Sequence, residues 1–366
     1  MSLFTVIILL AEYFVSITWN GFTGRADFRW EVATLLIALS FLPATIIGFR
    51  HTSPLLRGIY AVAAVWLGTL NYLLFAAVAA WLAAGLGLLL GWSPPLRLIV
   101  ASAYGAGLMA AAAALVNAAW LRTTRIVVPL PHLPSAWEQR TAALVTDIHL
   151  GHISGPRFLR KIIGRLRRLR PDVVFLSGDL FDGTTIGLDR LVAEWSSYAP
   201  PLGIFYVTGN HDEFAERTIY LQAVEKAGVR VLNNEKIILD GIQLVGVHDS
   251  EGGHPEVLRE ILRRARIDPA SPSILLSHQP RNLPLAEAEG ISLQLSGHTH
   301  HGQYWPWNLV VVRVWGRFAY GLHQLGRLWV YTSSGAGTWG PPLRLGTRSE
   351  IVLLRFVPAP AATPKG

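Results

Sequence analysis

The first third of this chain has few ways to fold, because it offers water almost nothing to bind. Four apolar runs follow one another, near residues 2–19, 30–49, 58–92 and 96–120, with short connectors between them. A helix needs about 20 apolar residues to cross a bilayer, so four spans fit. The runs also lack the polar face that a helix covering a soluble core keeps. Across the chain 51% of residues are hydrophobic and 15% are charged, whereas soluble domains carry about 25% charged residues. Residues 1–124 therefore read as an all-α transmembrane domain of about four helices. The third run is longer than one span needs, which leaves open a single tilted span with a re-entrant or interfacial tail.

The first run is expected to stay in the protein. No Lys or Arg precedes it, and Glu12 interrupts it, unlike a cleaved leader. Trp19, Trp30, Trp92 and Trp120 stand at run ends, where amphipathic rings favour the headgroup zone. Glu12, Asn71 and Asn117 are expected to bond neighbouring helices. With four spans, Arg50, Arg57, Arg122 and Arg125 share one side and Arg25, Arg29 and Arg97 the other. The positive-inside rule then leans toward a cytosolic second half of a multi-pass plasma (inner) membrane protein.

From Arg125 the pattern changes. Short runs rich in Val, Ile and Leu alternate with charged helical stretches, as in AALVTDIHL, DVVFLSGDL and GIFYVTGNHD. That alternation predicts an α/β domain over 125–357 with helices covering sheet. The Pro/Ala-rich end, 358–366, has no apolar side to bury and is expected to be disordered. The chain has no cysteine, which excludes disulfides, thiolate nucleophiles and cysteine metal sites. The net charge of +8 suits an anionic lipid surface, a phosphorylated substrate or nucleic acid.

The apolar runs end in a restricted set of residues. They give Asp147 and His149 in TDIHLG, Asp179 and Asp182 in SGDLFDG, and Asn210 and His211 in TGNHDE. They then give His278 in LLSHQP, and His298 and His300 in SGHTHHG. Ligands of α/β sheets bind at the carboxyl ends of strands, so these residues are expected to converge. Gly178 and Gly209 mark tight turns off two strands. Any one of these signals alone is an ordinary turn or a surface histidine. Together, Asp147, His149, Asp179, Asn210, His278, His298 and His300 form a mixed nitrogen and oxygen set suited to manganese, iron or zinc. The set is larger than one ion takes. Two divalent ions about 3.5–4 Å apart, sharing a carboxylate, would use it.

The order D-x-H, G-D-x-x-D, G-N-H-D, a lone H and G-H-x-H resembles the calcineurin-like metallophosphoesterase superfamily. SGHTHHGQ and GAGTWGPPLRLGTRSEI are similar to its bacterial YkuE/YaeI-type branch, which often has glycine where His301 stands here. The resemblance implies a four-layer α/β/β/α sandwich with a dinuclear site. It implies that Asp147, His149 and His300 hold one ion, that Asn210, His278 and His298 hold the other, and that Asp179 bridges them. It implies hydrolysis by a metal-bridged hydroxide, with His211 protonating the leaving-group oxygen and Asp182 orienting that imidazole. Asp182 reads equally well as a turn cap. Asp212 is expected to be structural, and His248 and Asp249 to line the pocket without binding metal.

The tether and the resemblance together point to a phosphodiester or pyrophosphate bond in a lipid-linked substrate. UDP-diacylglucosamine is a candidate, since the branch resembles enzymes that cleave it. The helical stretch RFLRKIIGRLRRLR, basic and amphipathic, could lie on anionic headgroups or simply cover the sheet. A nuclease or general phosphodiesterase is the alternative enzyme, although four spans and the lack of an aromatic basic groove disfavour nucleic acid. A non-catalytic membrane scaffold is the alternative outside catalysis, disfavoured by the complete ligand pattern. Oligomeric state is left open.

Overall fold

The structure is a computed structural model that describes residues 3–360. It divides into two compact units. One contains the chain through Ala119 together with Gly340–Leu345. The other contains Trp120–Trp339 and the chain from Gly346 onward. The division is therefore not linear, because a short late segment belongs with the helices.

The helical unit comprises α1 (Leu3–Thr23), α2 (Phe28–Gly48), α3 (Pro54–Leu89) and α4 (Leu96–Ala119). All four are long and apolar enough to cross a membrane. Their packing is that of a bundle in lipid. Ala63, Ala64, Gly68, Ala76, Ala77, Ala80 and Ala84 of α3 are buried, while Leu82, Leu86, Met109 and Val116 face outward. Small residues let helix backbones approach where the surroundings are as apolar as the core. At Gly107 a Cβ would stand 3.2 Å from the Tyr72 carbonyl oxygen. The third run is one continuous helix of 36 residues, about 54 Å long and well beyond one bilayer core. Glu12 accepts a hydrogen bond from Trp66 Nε1 across the bundle. Asn117 Nδ2 donates to the Arg344 carbonyl at 2.8 Å, within the late segment.

The second unit holds two six-stranded sheets. The first runs β1 (Arg122–Leu130), β12 (Glu350–Pro358), β2 (Thr141–Val145), β3 (Val173–Ser177), β4 (Ile204–Val207) and β5 (Arg230–Val231). The second runs β10 (Gly321–Leu325), β11 (Leu328–Thr332), β9 (Leu293–Ser296), β8 (Ser273–Ser277), β7 (Ile242–Val247) and β6 (Glu235–Leu239). Strand alternation builds the layers. Ala142, Leu144, Val173, Phe175, Phe205 and Val207 meet Leu244, Ile274, Leu276, Leu293 and Leu295 between the sheets. Alternate residues Val145, Val174, Leu176 and Tyr206 pack outward against Leu159, Ile162 and Leu166 of α5 (Pro156–Leu169). Val245, Val247 and Leu275 do the same against Leu258 and Leu262. The result is the expected four-layer α/β/β/α sandwich.

Helix α5 buries its apolar stripe on the sheet, so of its two readings the sheet-covering one describes those side chains. Pro358 closes β12, and the Ala359 amide donates to the Leu130 carbonyl at 2.9 Å. The segment expected to be disordered from 358 thus begins as the end of a sheet strand. Its remainder, 361–366, lies outside the described residues, as does Ser2 of the first run.

Candidate metal centre

The site is assembled from five strand ends. β2 delivers Asp147 and His149, β3 Asp179 and Asp182, β4 Asn210 and His211, β8 His278, and β9 His298 and His300. β2, β3 and β4 run parallel in one sheet, and β8 and β9 run parallel in the other. The carboxyl ends on each side therefore open toward one place. The turns interlock through the backbone: the Asp147 amide donates to the Gly178 carbonyl at 3.1 Å, and the His149 amide to the Asp179 carbonyl at 3.0 Å.

These turns run against local preference. Asp147, His149, Asp179, His298 and His300 all have φ between 47° and 68°, a left-handed conformation costing about 1–3 kcal/mol each away from glycine. Two glycines make the crowding feasible. Gly178 has φ +84°, and a Cβ there would stand 2.5 Å from His278 Nδ1. A Cβ on Gly209 would overlap the Asp179 carboxylate.

The side chains then converge into overlapping groups, each with ligand atoms within 4.8 Å of one another. Asp147, His149 and His300 form one, and Asp179, His278 and His298 a second. His149, Asp179 and His211 form a third that joins them. His300 Nε2 stands 3.0 Å from His149 Nε2 and 3.4 Å from Asp147 Oδ1. Two imidazole nitrogens on one ion at about 2.0–2.1 Å are held about 3 Å apart. Asp179 Oδ2 lies 3.1 Å from His278 Nε2 and 3.7 Å from His149 Nε2, so one carboxylate faces both groups. His298 Nδ1 meets Asn210 Oδ1 at 2.9 Å.

The donor set fits divalent ions on two further counts. His278 Nδ1 donates to the Ser177 carbonyl at 2.8 Å. That bond occupies Nδ1 and leaves Nε2 facing the carboxylates, the nitrogen that would take an ion. His278 Nε2 is a buried polar atom without a hydrogen bond, an arrangement proteins avoid unless another partner is intended. The charges are also arranged for cations. Burial alone would raise the Asp179 carboxyl, but His278 holds it well below the ordinary carboxylate range. Burial raises Asp147, so its charge calls for a counterion.

The remaining residues divide by role. Asp182 Oδ1 lies 3.4 Å from His149 Nδ1 and 3.8 Å from His211 Nδ1, so it faces two imidazoles, the expected one being the farther. Asp212 is buried and accepts from the backbone amides of Leu180, Phe181 and Gly209, which staples two site turns together. His248 accepts from the Thr208 amide at 3.2 Å, and Asp249 from Gln279 at 3.0 Å, both supporting the turns. His301 stacks on Tyr320 with centroids 4.6 Å apart. Its φ of 53° is one that glycine adopts readily. Sequence reading missed the aromatic rim. Phe214 and Trp339 lie 4.4 and 5.7 Å from His211, and Trp315 lies 5.7 Å from His298. Phe214 follows NHDE directly and Trp339 sits in GAGTWG, but neither spacing announces a role.

A sequence profile described as calcineurin-like phosphoesterase matches residues 141–302. A metallophosphoesterase of Aquifex aeolicus is 30% identical over 240 residues, 64% of this chain and 91% of that one. The chain belongs to the calcineurin-like phosphoesterase family. A metallophosphoesterase of Campylobacter jejuni is 33% identical over 240 residues, 64% of each chain. A bovine "transmembrane protein with metallophosphoesterase domain" is 34% identical over 257 residues, 65% of this chain and 57% of that one. The chain thus spans less than two thirds of the length of the Campylobacter relative, and 59% of a Helicobacter pylori one. This calcineurin-like phosphoesterase has four helices long and apolar enough to cross a membrane, and is similar to a relative named as transmembrane.

Proposed function

We propose that the chain is a membrane-embedded, dinuclear metal-dependent phosphodiesterase or pyrophosphatase. Its substrate is a lipid-linked phosphoester of the UDP-diacylglucosamine kind, cleaved at the cytosolic face of the plasma membrane. The observation that carries this reading is the convergence of five strand ends on overlapping His/Asp groups with an unsatisfied buried imidazole nitrogen at His278.

Asp147, His149 and His300 would hold one ion, and Asn210, His278 and His298 the other, with Asp179 facing both groups. When bound, two such ions neutralise phosphate oxygens and make water a competent nucleophile near neutral pH. The protein's own groups do the rest. His211 stands at the rim of the cluster and hands its proton to the leaving-group oxygen. Burial lowers its imidazole to about 4, and the negative charge of a phosphate beside it would raise it again. Asp182 fixes the ring direction of His149 and His211 together. Phe214, Trp315 and Trp339 give the mouth an apolar rim, which suits the acyl portion of an amphiphile better than a sugar–phosphate chain.

The test is hydrolysis by the detergent-purified full chain of bis-p-nitrophenyl phosphate, p-nitrophenyl phosphate, UDP-diacylglucosamine and a phospholipid, each with manganese and with chelator. Manganese-dependent cleavage of the lipid-linked pyrophosphate well above the generic diester is expected. Cleavage of the generic diester alone would remove the lipid-linked substrate and leave the chemistry. No cleavage of any of them would remove both.

A further inference from the structure

The segment that follows the last two site histidines carries a helix unlike the others in its unit. Trp307–Trp315, WNLVVVRVW, buries none of its residues. Leu309, Val310 and Val314 are 60%, 50% and 70% exposed, and Trp305 just before the helix is 44% exposed. The other long helices of the unit behave conventionally: α5 and Pro255–Ala265 bury Leu and Ile and turn Arg outward. A helix that is apolar all round belongs inside a protein or inside lipid, and an exposed apolar patch marks a contact surface.

We propose that Trp307–Trp315 seats the catalytic unit in the surface of a lipid bilayer, next to the metal centre. Three observations select lipid as the occupant. First, charge: residues 291–349 contain no Asp or Glu. Arg281, Arg313 and Arg317 are exposed around the helix, and the Arg281 guanidinium lies 5.4 Å from the Trp315 ring centre. Cations beside apolar side chains match anionic headgroups above acyl chains. Second, Trp305, Trp307 and Trp315 stand at the two ends of the helix, the ring type that favours the headgroup zone. Third, length: nine residues make about 13 Å of helix, too short to cross a bilayer and suited to lie in its surface.

The helix is also mounted on the site. Thr299, between His298 and His300, donates through Oγ1 to the Ala319 carbonyl at 2.7 Å, and Trp315 touches His298. Gly302 lies so close to the Asn308 backbone that a Cβ could not be accommodated. A lipid surface that receives this helix therefore meets the metal loop within a few residues. The substrate's phosphate would then reach the site without the acyl chains leaving the bilayer. This last consequence rests on the lipid-linked reading above, whereas the docking itself does not.

The absence of cysteine makes the test clean. Leu309→Cys, Val314→Cys and, as control, Glu256→Cys are made singly in the full chain. Each is labelled with an environment-sensitive fluorophore and reconstituted into phosphatidylcholine–phosphatidylglycerol vesicles. Labels at 309 and 314 are expected to shift to the blue, to be quenched by brominated acyl chains and to be shielded from iodide. The label at 256 is expected to show the reverse. Iodide reaching 309 and 314 as readily as 256 would overturn the proposal. Shielding from iodide without bromine quenching would also overturn it, by assigning the face to a second copy or another protein. Leu309→Asp is expected to lower turnover of a bilayer-embedded diester and to leave soluble bis-p-nitrophenyl phosphate unchanged. Equal losses on both would count against docking. Docked labels with no cleavage of any lipid substrate would sink only the lipid-linked reading.

Discussion

Asp179 and His211 are neighbours with separable tasks. Asp179 Oδ1 accepts from the His211 amide at 2.9 Å, while Oδ2 faces His278 and His149. One carboxylate thus sets both the turn and the charge of the cluster. Asp179→Asn is expected to lose bound metal, read by elemental analysis, together with turnover. His211→Ala is expected to keep the metal and to lose about 10²–10⁴-fold in kcat, the size of a general acid's contribution. The loss should be smaller for p-nitrophenyl esters, whose leaving group needs little protonation, than for an alkyl diester. Equal losses on both substrates, or metal lost from His211→Ala, would make His211 a ligand instead. At this scale the sequence was highly legible, because Asp, Asn and His after short apolar runs leave few roles. The Asp182–His149 approach was not legible, because it depends on how two turns cross.

Turns from different strands hold one another in place. The turn Asn210–Glu213 is tied to the short helix Asp249–Gly253 through Arg217. Its Nη1 and Nη2 donate to the two Glu251 oxygens at 2.8 and 2.9 Å. Partial burial pushes the Glu251 carboxyl up, but Arg217 outweighs it and holds the group at about 2. A folded value below the unfolded one, about 4.3, gives stability that is present above pH 4.5 and lost as pH falls toward 2. The wild-type chain is therefore expected to lose stability through that window, and Glu251→Gln to lose less across it while being less stable at neutral pH. Acid melts of the two proteins check this, and parallel curves would remove the Arg217–Glu251 link from the account. The central strands were legible as continuous apolar runs, whereas β1 and β10 were not. β1 (RTTRIVVPL) sits at a sheet edge beside β12 and carries polar residues that read as a connector. The helix Trp307–Trp315 was missed because it has no polar side to give it a period.

Across the whole molecule, one unit is organised for lipid and the other for water and metal. On the proposed metal reading, divalent ions would bind only where the five strand ends are assembled, and so would stabilise the folded catalytic unit by mass action. Manganese at about 100 times its Kd is expected to add about 2.7 kcal/mol, seen as a higher melting temperature of that unit that chelator reverses. The helical bundle, which holds none of the His/Asp groups among the described residues, should melt unchanged. A manganese shift shared equally by both units would show that they unfold together.

Sequence alone determined the two-part character of the chain, the layered α/β class and the identity of the converging residues. Hydrophobic period and strand-end chemistry are local properties that any reader of the chain can see. Tertiary structure alone decided that Gly340–Leu345 packs with the helices, that Asp182 faces two imidazoles, and that rings from 214 and 339 lie against His211 and one from 315 against His298. Some of these pairings join near neighbours in sequence, such as Asp182 with His149 and His211, and others residues more than two hundred positions apart, such as Asn117 and Arg344. Only the crossing of packed layers brings them together, and no local pattern records where layers cross.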